Sequence, residues 1–305
     1  MPLFSIIIPS FNRASIISKT LDSVLAQTFK DWECLVVDDK STDNTKEIIE
    51  KYLVKDKRIH YLTNELEKGA QGARNTGILY AKGYYVSFLD SDDRWSPCML
   101  QKQKEQYASS ERVGCVYSDV HFISTEGVES SFGVPLGIHG HIYPQVLEQG
   151  YLAPTSVLSA KRELLVNVGM FDLQLPASQD DDICFKLAKI SEVAYIPEVM
   201  AYMFANSDNR ISDNSIKVAM GWWMLWIKYE NDVLQYCGKA TMKKHYKECL
   251  HNFIHLNNVK MSRKAFKKYS QFGGVLPIKH KMWLMAYYLS NGYINYINRK
   301  TKNAL

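Results

Sequence analysis

Short apolar runs and helical periodicities alternate along the amino-terminal half of the chain. Runs rich in β-branched and aromatic residues predict strands, and apolar residues that recur at helical spacing predict amphipathic helices. The predicted strands cover residues 4–9, 33–37, 58–62, 83–89 and 113–117. Strands that alternate with helices in this way indicate a doubly wound α/β sheet.

The pattern changes further along the chain. Residues 120–155 predict shorter, antiparallel strands, and from residue 215 onward the pattern is mostly helical. The charge changes too, because residues 214–305 carry 16 Lys and Arg against 3 Asp and Glu, whereas residues 1–213 carry 21 against 29. We therefore predict an α/β domain at 1–213 and a basic, aromatic-rich helical region at 214–305 that suits an anionic partner.

The composition is that of an ordinary globular protein, with 46% hydrophobic and 23% charged residues. Six scattered cysteines without a C-x-x-C pair favour a reducing compartment over a disulfide framework or a zinc site. The start of the chain has no signal-peptide pattern, and no run reaches the roughly 18 apolar residues of a membrane span. These features predict a cytosolic protein.

Acidic residues cluster directly after the predicted strand at 83–89. Asp90, Ser91, Asp92 and Asp93 follow it, so they belong at the carboxyl end of a central strand, where open α/β sheets bind ligands. Three carboxylates so close together repel one another unless a cation lies among them, and a hard divalent ion that also bridges phosphates fits that need. The alternative is a solvated turn, since Asp and Ser are common turn residues.

Three more candidate binding residues lie near predicted strand ends or helix starts. Asp39 ends the second predicted strand and could accept the N–H of a uracil or thymine ring, or cap a helix. Asn64 follows the third strand and could support a nucleoside, or be a turn residue. Arg74 lies in a Gly-containing loop before a predicted helix, where a guanidinium suits a diphosphate.

A second acidic segment, Asp180 to Asp182, opens an amphipathic helix. Acids in a first helical turn stabilise a helix by about 0.3–1 kcal/mol, which is a sufficient structural reason for them. Asp181 and Asp182 meet that need, which leaves Asp180 to face a cleft.

Several of these segments occur in a characteristic order: Ile6–Arg13, Val37–Asp43, Gly72–Gly77 and Phe88–Asp93. They resemble the ordered motifs of glycosyltransferase family 2, and Gly169–Asp172 with Gln179–Asp180 is similar to the family's later segment. The resemblance covers roughly residues 1–212. It implies a GT-A fold (a doubly wound mixed sheet flanked by helices), a nucleotide-sugar donor, a Mn²⁺ or Mg²⁺ ion and inversion at the anomeric carbon.

The resemblance also implies roles, position by position. Donor binding would fall to Pro9, Phe11, Asp39, Asn64, Arg74, Asp90, Ser91 and Asp92, with Asp39 on the uracil N3–H and Asp92 on the metal as well. Asp180 would be the catalytic base. The chain departs from the family pattern at Gln179, where Glu is common, and at Lys40, where Gly is common.

The residues and the resemblance together predict an inverting, metal-dependent glycosyltransferase. We expect a UDP-sugar as the donor, and a saccharide or lipid-linked saccharide as the acceptor, in the synthesis of a cell-surface polysaccharide. A nucleotidyltransferase and an inactive nucleotide-sugar-binding subunit are the alternatives. No nucleic-acid partner is predicted, and a homo-oligomer is left open.

The basic region suggests a place at the inner face of the cell membrane. Lys and Arg favour anionic lipid, and Trp and Tyr suit the boundary between water and lipid. The aromatic residues concerned are Trp222, Trp223, Trp226, Trp283, Tyr287, Tyr288, Tyr293 and Tyr296, and the stretch at 282–297 is too short and polar to span. The alternative is that these rings pack a helical subdomain.

Overall fold

The structure is a computed structural model, and it describes residues 1–124, 129–132, 137–204 and 214–276. The chain divides into two compact units, residues 1–210 and residues 211–305.

The first unit is built on one mixed sheet, which has nine strands in the described residues. The order is β3-β2-β1-β4-β8-β6-β9-β5, and β7 pairs with β6 outside this path. The strands are β1 Phe4–Ser10, β2 Trp32–Asp38, β3 Ile59–Thr63, β4 Tyr85–Phe88, β5 Arg94–Trp95, β6 Val113–Ile123, β7 Glu129–Phe132, β8 Ser159–Lys161 and β9 Glu192–Phe204.

Strands β1 to β4 run parallel to one another, whereas β8 is antiparallel to β4 and to β6. Strands β1 and β2 are buried on both faces, which explains why they read as continuous apolar runs instead of alternating patterns. Their carboxyl ends all lie at one edge of the sheet.

All five predicted strands are present with shifted bounds, and two of the shifts have a clear physical reason. The first was expected to stop at Pro9, yet β1 continues to Ser10, with Pro9 opposite Val37 and Ser10 opposite Asp38. A parallel ladder bonds each strand through alternate residues, so a position without an N–H can be accommodated. The strand expected at 113–117 continues to Ile123, because β9 pairs with it beyond that point.

Helices cover the sheet of the first unit. They are α1 Ile17–Leu25, α2 Thr45–Lys55, α3 Ala70–Tyr80, α4 Met99–Ser109, α5 Tyr143–Gln149, α6 Arg162–Asn167 and α7 Gln179–Ile190, with a 3₁₀ turn at Thr155–Val157. Helix α3 packs closely on β1, since a Cβ at Gly77 would come within 2.5 Å of the Ile7 side chain.

The second unit is helical where it is described. Its helices are α8 Ser215–Lys228, α9 Glu230–Tyr236, α10 Lys239–His255 and α11 Val259–Gln271. Trp226 is fully buried and stacks on His245 with ring centroids 3.6 Å apart, and Trp223 contacts Tyr246 and Phe253.

Two of the rings expected at a lipid boundary therefore pack inside this unit, as the alternative reading required. The stretch at 282–297 lies outside the described residues. None of the helices in the described part of the chain is long and apolar enough to cross a membrane.

Candidate active site

The candidate site lies at the carboxyl ends of the four parallel strands. Ser10, Asp38, Thr63 and Phe88 end β1, β2, β3 and β4, and all four strands are neighbours in the sheet. The residues that follow these ends are the predicted ones: Phe11, Asp39, Asn64, and the acidic segment from Asp90 to Asp93. Chain topology alone thus brings together side chains that are far apart in sequence.

Asp39 is buried and held from both sides. Its Oδ1 accepts a hydrogen bond from Asn64 Nδ2 at 2.6 Å, and its Oδ2 accepts one from the Gly69 backbone N–H at 2.8 Å. Asn64 is fixed in turn, because its Oδ1 accepts from Thr76 Oγ1 at 3.0 Å and from the Leu66 N–H. Each carboxylate oxygen has two acceptor sites, so Asp39 retains capacity for a ligand N–H.

The neighbouring Asp38 has a different environment. Its carboxylate accepts from the Ser41 N–H and hydroxyl and from the Tyr61 hydroxyl, the last at 2.8 Å. These contacts fix the turn after β2, in which Lys40 takes a positive φ of 66°. The carboxylate of Asp38 therefore stabilises the loop, which leaves Asp39 as the candidate binding acid of the pair.

Phe11 and Pro9 occupy the end of β1. Pro9 is buried in the sheet, whereas the Phe11 ring is half-buried and has Lys68 Nζ 4.2 Å from its centroid. An aromatic face partly open to solvent beside Asp39's loop can stack on a nucleobase.

Arg74 lies in the first turns of α3 and is buried. Its Nη2 donates to Asp90 Oδ1 at 2.5 Å and to Thr155 Oγ1 at 3.0 Å. In this structure the guanidinium therefore pairs with the first acid of the cluster, at the helix end where an anion is favoured.

The other three residues of the cluster have separate environments. Asp92 Oδ2 lies 4.0 Å from Arg13 Nη2, and no other hydrogen bond or ion pair reaches its carboxylate from the described residues. Asp93 is buried, and its Oδ2 accepts from Ser156 Oγ at 2.5 Å. Ser91 is buried, and its carbonyl accepts from Thr20 Oγ1. Asp93 thus belongs to the turn, while Asp90 and Asp92 face the candidate site.

Sequence reasoning missed the partners of this cluster. Thr155 contacts Asp90, and Ser156 binds both the Asp90 N–H at 3.1 Å and the Asp93 carboxylate. Arg13 was noted as part of a motif, without a role. No local spacing marks these contacts, because about sixty positions or more separate the partners.

Asp180 opens α7 and is half-buried. Burial raises the pKa of its carboxyl, the positive charge of Arg74 lowers it, and the negative charge of Asp90 raises it further. The influence of both residues places Asp180 in the same charge environment as the donor-side cluster. A carboxyl with a raised pKa is a better proton acceptor when ionised.

The two following acids have structural surroundings. Asp182 is fully buried and pairs with Lys186 Nζ at 2.9 Å. Asp181 is buried with no hydrogen-bond partner for its Oδ1 among the described residues, and burial followed by the charge of Asp180 raises its pKa well above the ordinary value. Gln179, at the position where Glu is common, donates to the Leu175 carbonyl at 3.0 Å, so it anchors the loop before α7.

A pair of amide hydrogen bonds connects the two sides of the site. Asn75 Nδ2 donates to the Phe171 carbonyl and Asn75 Oδ1 accepts from the Phe171 N–H, both at 2.9 Å. Asn75 follows Arg74 on α3, and Phe171 belongs to the segment that leads to α7. These bonds fix the position of the Asp180 segment relative to the Arg74 helix.

The described residues contain no group of three or more His, Cys, Asp or Glu side chains arranged to hold a metal ion. Asp90 and Asp92 nevertheless offer hard oxygen ligands two positions apart, and Asp92 is otherwise only weakly engaged. This donor set fits Mg²⁺ or Mn²⁺, which bind through one or two carboxylates and take further ligands from substrate phosphates and water.

Comparisons with known proteins identify the class. The chain has the fold of the solved Staphylococcus aureus TarS, crystallised in complex with UDP-GlcNAc, with a TM-score of 0.61 at 18% identity over 91% of this chain and 93% of that one. A Pyrobaculum calidifontis mannosyltransferase solved with GDP-Man and Mn²⁺ gives a TM-score of 0.56 at 20% identity over 96% and 80%. The fold is therefore that of the GT-A class, which confirms the predicted fold.

The sequence comparisons are more specific. Residues 5–133 match the model of glycosyl transferase family 2. A putative teichuronic acid biosynthesis glycosyltransferase of Bacillus subtilis is 34% identical over 75% of this chain and 89% of its own length. An Escherichia coli UDP-Glc:α-D-GlcNAc-diphosphoundecaprenol β-1,3-glucosyltransferase is 41% identical over 44% of this chain, which spans 51% of that relative. The chain belongs to glycosyltransferase family 2, and it is a glycosyltransferase, as the motifs predicted.

Proposed function

We propose that the chain transfers a sugar from a UDP-sugar, with inversion, to a hydroxyl of a saccharide or lipid-linked saccharide during the synthesis of a cell-surface polysaccharide. The observation that carries the proposal is the convergence of Asp39, Arg74, Asp90 and Asp92 at one sheet edge, with Asp180 close enough for its pKa to respond to Arg74 and Asp90.

Donor recognition begins at the end of β2. Asp39 is oriented by Asn64 and the Gly69 N–H, so its carboxylate cannot rotate away from a ring N–H without breaking those bonds. Uracil and thymine offer an N3–H, whereas an adenine ring without a ring N–H would leave a buried carboxylate unpaired at a cost of about 1–3 kcal/mol. Phe11 supplies the stacking face, and Pro9 supports it from within β1.

The diphosphate would lie between Arg74 and the acidic cluster. Arg74 can exchange its bond to Asp90 for a phosphate oxygen, since guanidinium groups bind both anions in the same geometry. Asp92, with Asp90 beside it, would hold a Mn²⁺ or Mg²⁺ ion, which when bound neutralises the charge that develops on the leaving diphosphate. Asp90 and Ser91 would also contact the donor.

Asp180 would accept the proton of the attacking acceptor hydroxyl. Inversion needs one displacement and one base, so no second carboxylate nucleophile is required. The raised pKa of Asp180 sets the expected pH dependence, because turnover should rise as pH increases through that pKa and level off above it.

The decisive experiment pairs donor turnover with donor binding in Asp180→Asn. We expect a loss of about 10²–10⁴-fold in UDP-sugar turnover, the range for loss of a general base, with UDP affinity within about twofold of wild type. Asp22→Asn, at an exposed site on α1, is the matched control. Loss of UDP affinity with turnover retained would make Asp180 a binding residue, and absence of donor turnover in every form would favour the inactive binding subunit.

A nucleotide panel tests the donor class. Calorimetry with UDP, dTDP and ADP, each with Mn²⁺, should rank UDP and dTDP above ADP, whose base has no such ring N–H. Equal affinity for ADP and UDP would contradict the role of Asp39. Transfer with release of UDP, and not of pyrophosphate, excludes a nucleotidyltransferase, and the anomeric configuration of the product by NMR tests inversion.

The acceptor proposal draws on relatives and on the second unit. The E. coli relative's name describes a diphosphoundecaprenol-linked acceptor, which is a membrane lipid. In this chain, helix α11 exposes Lys260, Arg263, Lys264 and Lys267 on one face, and the helix contains no acid. Such a face favours an anionic leaflet by about 1 kcal/mol per basic residue close to the surface.

Co-sedimentation of the full chain with vesicles tests this proposal. Replacing the four basic residues of α11 by Gln should release the protein from anionic vesicles, whereas the same change at four exposed unit-one lysines, Lys46, Lys51, Lys55 and Lys57, alters net charge equally and should have little effect. Equal release by both sets would show that net charge, and not the α11 face, determines binding.

A further inference from the structure

We propose that Arg13 is the counter-ion of Asp92 in the donor-free protein and moves to the donor diphosphate on binding, so that it couples binding of the divalent cation to binding of the nucleotide. This inference rests on the proposed function, because it takes Asp92 as the metal-binding carboxylate.

The two side chains face each other in a partly buried place. Arg13 Nη2 lies 4.0 Å from Asp92 Oδ2, and the side chains are only 14% and 16% exposed. This separation is longer than a direct hydrogen bond and short enough for a strong charge interaction where water is scarce. The guanidinium is thus near the carboxylate without being locked to it.

The backbone of Arg13 is fixed, whereas its side chain reaches across the site. Three consecutive N–H groups donate to side chains of the loop after β2 and of the start of α2: Asn12 to Ser41 Oγ at 2.9 Å, Arg13 to Thr45 Oγ1 at 2.7 Å and Ala14 to Asp43 Oδ2 at 3.1 Å. A change of partner by the guanidinium would therefore come from rotation of the side chain and not from movement of the backbone.

Charge balance gives this movement a direction. Arg74 pairs with Asp90 and Arg13 lies beside Asp92, so each of these two carboxylates already faces one cation. A divalent ion that arrives alone is repelled by Arg13 at the oxygen it needs. The diphosphate brings negative charge and paired oxygens that a guanidinium binds well, which draws Arg13 from Asp92 and opens that oxygen to the metal. The coupling is reciprocal, because each ligand raises the affinity of the other by the same factor.

The test measures Mn²⁺ affinity directly, from the EPR signal of free Mn²⁺, on the full chain with and without UDP. The variants are Arg13→Gln, which removes the charge, and Arg13→Lys, which keeps it. Arg112→Gln is the control, and the Arg112 side chain is 78% exposed. Arg112 directly precedes β6, and β6 runs in the same direction as β4. Arg112 therefore lies at the edge of the sheet opposite to the candidate site. Thermal midpoints confirm that each variant is folded.

We expect UDP to tighten Mn²⁺ binding about tenfold or more in wild type and in the control. In Arg13→Gln, Mn²⁺ without UDP should bind about fivefold tighter than in wild type, UDP should bind more weakly, and the coupling should shrink accordingly. Arg13→Lys should lie between the two. A structural defect alone would weaken both ligands and could not strengthen Mn²⁺ binding.

Two other outcomes overturn the inference and are distinguishable. Unchanged or weaker Mn²⁺ binding by folded Arg13→Gln, with UDP coupling as in wild type, would remove the role of Arg13 and leave the proposed function intact. Absence of Mn²⁺ binding in every form, with UDP present, would remove the inference together with the metal requirement of the proposed function. Sugar transfer, assayed separately, then decides the remainder of that function.

Discussion

Gly72→Ala should disrupt donor binding through the backbone. A Cβ at Gly72 would be 1.9 Å from the Glu67 carbonyl oxygen, and real Cβ atoms essentially never come closer than 3.0 Å to another heavy atom. The 65–69 loop must therefore move by about 1.1 Å or more. That loop supplies both the Glu67 carbonyl, which accepts from Asn64 Nδ2 at 3.0 Å, and the Gly69 N–H, which holds Asp39.

The magnitude follows from these contacts. Overpacking costs about 1–3 kcal/mol, and loss of the bond from Asn64 to Glu67 adds about 1 kcal/mol, so we expect a loss of about 2–4 kcal/mol in the free energy of unfolding. Because Asp39 loses its alignment, UDP affinity should fall by at least about tenfold. Isothermal calorimetry with UDP and thermal unfolding measure the two effects.

Gly140→Ala is the matched control for this prediction. Gly140 has a φ of 101° and nothing within 4 Å of an added Cβ, so alanine there costs backbone strain of roughly 1–2 kcal/mol without displacing a neighbour. It should lower stability and leave UDP affinity unchanged. If folded Gly72→Ala bound UDP within about twofold of wild type, the argument that the 65–69 loop orients Asp39 would be refuted.

Two further substitutions probe stability. Lys40→Gly should raise the free energy of unfolding by about 0.5 kcal/mol, because relief of a left-handed lysine (φ 66°) outweighs the entropy cost of glycine, whereas Lys57→Gly, at an ordinary φ, should lower it. Asp181→Asn should stabilise the protein relative to wild type, and by more at pH 7 than at pH 5. The pKa of Asp181 is raised on folding, so its ionisation opposes folding increasingly as pH rises above the unfolded value of about 3.9. Denaturant melts measure both.

Opposite results would be informative at each site. A destabilised Lys40→Gly would mean that the lysine side chain contributes more than its backbone strain costs. A stability difference for Asp181→Asn that stays constant between pH 5 and pH 7 would mean that Asp181 is ionised equally in the folded and unfolded protein across this range, and that folding does not raise its pKa into it.

Much of the candidate site could be predicted because it is local in sequence. Asp39, Asn64 and Asp90 each follow a strand that can be predicted from its local sequence. Parallel strands place their carboxyl ends side by side, so the three residues can be expected at one edge of the sheet. The different environments of Asp38 and Asp39 could not be predicted. They depend on the hydrogen bond from Tyr61 in β3 to Asp38 and on the hydrogen bond from Asn64 after β3 to Asp39.

Contacts between segments that are distant in sequence could not be predicted from the sequence either. Ser156 supports the Asp90 segment from 66 positions away, and no periodicity or motif links the two. The aromatic residues of α8 show the same limit, because a Trp that packs in a helical core and a Trp at a lipid boundary have the same sequence pattern. For Trp226, its burial shows that it packs in the core.

The amide pair between Asn75 and Phe171 makes position 171 a fixed point between the two sides of the candidate site. Asn75 binds the backbone N–H and carbonyl of Phe171. The Phe171 ring is buried, packs edge-on against the Phe88 ring and has the Arg74 guanidinium 5.4 Å from its centroid. The backbone and the ring are thus both engaged with elements that carry the candidate site. A chimera that takes the segment before α7 from a related transferase should therefore keep a phenylalanine at 171 and the same spacing to Asp180, so that Arg74 and Asp180 stay aligned.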